Sequence, residues 1–84
     1  MVRLFMIEFV YNGSSHYANV IEYPQSPRVY FVGILNNGSN LPKSILLKEG
    51  NDGIELSNNS VPASDALVRA ITEKILQRKK IEVA

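Results

Sequence analysis

The sequence predicts an α+β domain in which a four- to five-stranded antiparallel meander sheet is followed by one C-terminal helix packed on one of its faces. Three observations carry that expectation. Short β-prone runs alternate with segments rich in Asn, Gly, Pro and Ser up to residue 56. Beyond residue 60 the apolar period lengthens from two to about 3.6. Neither layer can bury its apolar face alone, so the two must pack together. With 84 residues, 45% of them apolar and 20% charged, the chain is one globular domain spanning residues 1–84.

Each element has a local reason. Residues 3–11 are almost all β-branched, aromatic or long apolar, and Asn12-Gly13 then supplies a pair that tolerates positive φ in a tight hairpin. A second strand over about 16–23 is closed by Pro24-Gln25-Ser26-Pro27, where two prolines remove backbone donors. The run over 28–35 is the most β-prone in the chain, and residues 36–41 form the longest connection, expected to be the most mobile internal segment. Residues 44–48 and 53–56 read as a short final hairpin around Gly50-Asn51-Asp52-Gly53. The helix is expected over about 63–80, with Leu67, Val68, Ile71 and Ile75 on its apolar face and Ser60 or Ser64 as N-cap.

Hairpin parity assigns the faces. A two-residue loop at either Asn12-Gly13 or Gly13-Ser14 puts Phe5, Ile7 and Phe9 with Ala18 and Val20 on the helix-covered side, and a four-residue Pro24-to-Pro27 loop, setting Tyr23 opposite Arg28, extends that side to Val29, Phe31, Gly33 and Leu35. In that register Gly33 can fall opposite Ala18 and leave a shallow place for the helix. The other face then collects Leu4, Met6, Glu8, Val10, Tyr17, Asn19, Ile21, Tyr23, Arg28, Tyr30, Val32 and Ile34, which is more apolar than a solvated antiparallel face should be. Three of the four tyrosines fall there, a residue type that tolerates wetting while supplying contact area.

Composition removes several activities. The chain has no cysteine, so disulfides, thiol catalysis and Cys-based zinc sites are excluded. Its one histidine, His16, has no second ligand in sequence, and no Ser/His/Asp set or phosphate-binding glycine spacing is present, so no catalytic, cofactor-binding or metal site is expected. Nine Lys+Arg against eight Asp+Glu give a net charge of +1, which draws the chain to neither nucleic acid nor membrane. With no signal peptide, membrane-length apolar run or cysteine, the default compartment is the cytoplasm. The reading that follows is a non-catalytic binding or assembly module, self-associating as a homodimer or meeting a protein partner through Met6, Tyr17, Ile21, Tyr23, Arg28, Tyr30 and Val32 or through the neighbouring edge strands. The alternative is a single-stranded nucleic-acid binder that stacks bases on Tyr17, Tyr23 and Tyr30.

Overall fold

A computed structural model describes residues 2–35 and 41–83, the last three by their backbone alone. Strands β1 (Arg3–Tyr11), β2 (Ser14–Tyr23), β3 (Val29–Ile34), β4 (Ser44–Gly50) and β5 (Gly53–Leu56) are followed by helix α1 (Asp65–Val83). The strands lie side by side in chain order, and each pairs antiparallel with the next. Because the sheet curls, α1 touches both of its outermost strands, β1 and β5.

The first hairpin follows from two backbone angles. Asn12 and Gly13 have φ of 54° and 78°, the pair of positive values a two-residue type I′ turn requires, so Tyr11 closes directly on Ser14. That tight closure starts β2 at Ser14, two residues earlier than expected. At the other end of the sheet, β5 is too short to cover all of β4. Ser57 N–H donates to Leu46 O at 2.8 Å and Leu46 N–H donates to Ser60 Oγ at 2.9 Å, so the chain beyond β5 satisfies the remaining edge. Ser60 is thereby committed to β4, and the helix cap is Ser64, whose Oγ accepts from Leu67 N–H at 3.2 Å. Tyr11 Oη lies 3.0 Å from the same Ser64 Oγ and ties the end of β1 to the start of α1.

Beneath α1 the core joins Phe5, Ile7 and Phe9 of β1 to Ala18 and Val20 of β2, then to Tyr30, Val32 and Ile34 of β3 and Ile45 and Leu47 of β4, all closed by Leu67, Ile71 and Ile75. The β1, β2 and helix members are those the sequence predicts. Those of β3 are not. Tyr23 pairs with Val29 rather than Arg28, so the connection from β2 is residues 24–28, one longer than expected. A slip of one residue turns every side chain of a strand to the opposite face. Tyr30, Val32 and Ile34, expected outside, are therefore buried, while Phe31 and Leu35, expected in the core, are 40% and 53% exposed. Gly33 also moves out, opposite Asn19 and Ser44 instead of Ala18.

Two physical reasons favour this register. Gly33 beneath α1 would leave space no side chain fills, whereas Ile34 and Val32 fill it. Burying Tyr30 also brings its hydroxyl 2.8 Å from Lys79 Nζ, so the polar tip is satisfied as the ring is desolvated. Of the expected mobile connection, residues 36–40 lie outside the described residues, and Leu41 packs against the core.

Candidate interaction surface

The outer face of the sheet is built from the even positions of β1, the odd positions of β2 and β3, and the even positions of β4. Their registers align Leu4, Ile21, Phe31 and Leu46 as directly opposed neighbours, giving one apolar row across four strands. Two residues further along β1 the next row is Met6, Asn19, Gly33 and Ser44. Its three members after Met6 are short or lack a side chain, so the row forms a trough beside the Leu4-to-Leu46 ridge. Beyond the trough Glu8 opposes Tyr17, and the Glu8 carboxylate is held by Ser15 Oγ at 2.5 Å. On the other side of the ridge Tyr23 opposes Val29, which opposes Lys48, which opposes Glu55.

This face is open. Leu4, Met6, Val10, Tyr17, Tyr23, Phe31 and Leu35 are each between 37% and 74% exposed. With side chains of this size offering about 150–250 Å² each, they leave on the order of 700 Å² uncovered, near the ~800 Å² that each partner gives to a standard interface.

Of the seven residues through which the sequence predicts association, four are on this face: Met6, Tyr17, Ile21 and Tyr23. Tyr30 and Val32 belong to the core, so the three-tyrosine platform is reduced to Tyr17 and Tyr23 of β2 with Phe31 on the neighbouring β3. Arg28 turns to the inner rim, where its Nε lies 3.3 Å from Glu22 Oε2 and its guanidinium 3.9 Å from Glu49. Phe31 and Val29 are surface members that sequence reasoning misses, because both depend on the length of the 24–28 connection, and Leu46 is a third, set by the pairing of β4 with β3.

Under the ridge, at the inner rim, an ionic cluster closes one end of the core. Glu22 is 2% exposed, and three cations surround it: Arg3 at 4.0 Å, Arg28 at 3.3 Å and Lys79 at 3.4 Å. Lys79 Nζ also donates to Tyr30 Oη and sits 4.0 Å from Glu49. A buried carboxylate is tolerated only when paired in this way. Arg3, Arg28 and Lys79 are thus turned towards carboxylates inside the rim and away from the aromatic face, where phosphates of a stacked strand would need them.

Among the described residues no helix is long and apolar enough to cross a membrane. Comparison with protein-family models, with curated proteins and with solved structures finds no match to the chain.

Proposed function

We propose that the protein is a non-catalytic assembly module whose outer sheet face binds a second copy of itself. The supporting observation is the four-strand row Leu4–Ile21–Phe31–Leu46, with Leu4 and Phe31 exposed and Ile21 and Leu46 half-buried, lying beside the low row of Asn19, Gly33 and Ser44. A two-fold axis running across the strands, midway between these rows, seats the ridge of each copy in the trough of the other. Phe31 then lies over the second copy's Gly33, and Ile21 over its Asn19. Such an arrangement is isologous and closes as a dimer, with the strands of the two sheets running nearly antiparallel, within the ~30° that sheet twist imposes. Burial of apolar area supplies the driving force, at roughly 25 cal/mol per Å² before the costs of association.

The test is molar mass by light scattering after gel filtration, from micromolar to near-millimolar concentration. Wild type should reach the mass of a dimer. Phe31→Asp should be folded and monomeric, because it places a charge in the middle of the apolar row without touching the core. A wild type that stays monomeric throughout, or a Phe31→Asp variant that dimerises like wild type, overturns the reading. Titration with salt separates it from single-strand binding on Tyr17, Tyr23 and Phe31: apolar association holds or strengthens with salt, while phosphate contacts weaken steeply.

A further inference from the structure

A second surface, independent of the outer face, lies along β1. β1 ends the sheet, and over its nine residues it contains neither proline nor glycine; its single carboxylate, Glu8, points to the outer face. Of the devices that usually protect an edge, β1 has no proline and no bulge, and its two charges, Arg3 and Glu8, are engaged within the sheet by Glu22 and Ser15. The direction of its backbone groups follows from the ladder. Tyr17 O accepts from Leu35 N–H at 2.8 Å, so odd positions of β2 bond towards β3 and its even positions towards β1. The partners of those even positions are the odd residues of β1. The N–H and C=O groups of Leu4, Met6, Glu8 and Val10 therefore point outward, away from the sheet.

Beside this edge, on the helix side, runs a groove of about 160 Å³ lined by Met6, Ile7, Glu8, Lys74, Gln77 and Arg78. Its helix wall carries two cations. Arg78 lies over the Phe5 ring at 5.8 Å, and no carboxylate pairs with Lys74 among the described residues. We propose that the β1 edge accepts an extended acidic segment of a partner protein as an added strand, with its carboxylates turned into this groove. Main-chain bonds to Leu4, Met6, Glu8 and Val10 hold the strand, and Lys74 and Arg78 select its side chains. Residues opposite Phe5, Ile7 and Phe9 share the inner face and meet the helix cations; their neighbours share the outer face with Leu4, Met6 and Val10. The pattern recognised is thus acidic and apolar residues in strict alternation. A second copy of β1 does not supply it, since the residues it would turn to the helix side are Phe5, Ile7 and Phe9, which are apolar.

The test uses two capped nine-residue peptides, one alternating Glu and Val and the other alternating Lys and Val, with amide hydrogen exchange followed by NMR. The Glu/Val peptide should slow exchange at Leu4, Met6, Glu8 and Val10 by about tenfold or more, a ~1.4 kcal/mol effect, and leave β5 unchanged, while Lys/Val should not. Lys74→Glu, on a partly exposed helix position whose folding is checked by thermal melting, should reverse the preference. Phe31→Asp should bind the Glu/Val peptide like wild type, which keeps this result separate from that of the outer face. Equal protection by both peptides, protection at β5 instead, absence of protection at millimolar peptide, or amides already protected in the free protein would each overturn the proposal.

Discussion

Glu22 and Tyr30 stand directly opposite each other on β2 and β3, and Lys79 descends from α1 onto both, 3.4 Å from the carboxylate and 2.8 Å from the hydroxyl. The same ammonium lies 5.3 Å from the centre of the Tyr30 ring. One helix residue therefore fixes the inner polar row of the sheet, and the row in turn fixes which side of β3 faces in.

That dependence is measurable. Glu22→Leu leaves Lys79, 18% exposed at its side chain, without its principal counter-charge, while Arg3 and Arg28 can turn towards water. The loss should be about 1.5–3 kcal/mol by urea unfolding. Adding Lys79→Met removes the stranded charge and should restore part of that loss, because replacing both partners of a buried pair is far milder than removing one. Strict additivity of the two substitutions would show that they do not interact.

The register of β3 gives a second prediction. Tyr30→Ala opens the core and should cost about 3–5 kcal/mol, whereas Phe31→Ala removes a ring that is 40% exposed and should cost roughly 1 kcal/mol or less in the monomer. If the melting temperatures fell in the reverse order, the assignment of the two residues to their faces would be wrong.

Why one hairpin was legible and the next was not is a matter of turn chemistry. A two-residue closure at Asn12-Gly13 or at Gly13-Ser14 gives the same parity, so the faces of β1 and β2 follow from the sequence, as does the helix from the spacing of Leu67, Ile71 and Ile75. Between β2 and β3, Pro24 and Pro27 mark a bend without setting its length, and β3 is apolar on both sides, Tyr30 and Val32 on one and Val29 and Phe31 on the other. Hydrophobic pattern cannot choose between such faces. What favours one is the space under α1 that Val32 and Ile34 fill, together with the partners that Tyr30 and Arg28 find inside at Lys79 and Glu22, which local sequence does not reveal because they lie at distant positions. The surplus apolar surface was legible for the same reason that its membership was not: both parities of β3 leave apolar residues outside.

The helix start is held by one serine with two duties. Ser64→Ala removes the cap on Leu67 N–H and the contact with Tyr11 Oη, and should cost about 1 kcal/mol, or roughly 4–8 °C in Tm for a domain of this size. Tyr11→Phe removes only the second contact and should lower Tm by less. Equal shifts in the two variants would mean that the cap itself contributes little.

Gly33 separates stability from association. An added Cβ would meet Asn19 O at 3.9 Å and Phe31 Cε1 at 4.0 Å, ordinary contacts, and the residue has no positive φ to lose. A branched side chain there also suits a strand better than glycine does, so Gly33→Val should leave Tm unchanged or raise stability by up to about 1 kcal/mol. The same side chain fills the trough between Asn19 and Ser44, where the Phe31 ring of a second copy is proposed to sit. Overpacking of a close contact costs about 1–3 kcal/mol, which for a two-fold interface carrying the substitution twice weakens association by at least tenfold. The expected outcome in light scattering and thermal melting together is a protein as stable as wild type that dissociates at higher concentration. A Gly33→Val variant that melts early would place the residue in the core after all, and one that dimerises as tightly as wild type would exclude the ridge-in-trough packing of the outer face.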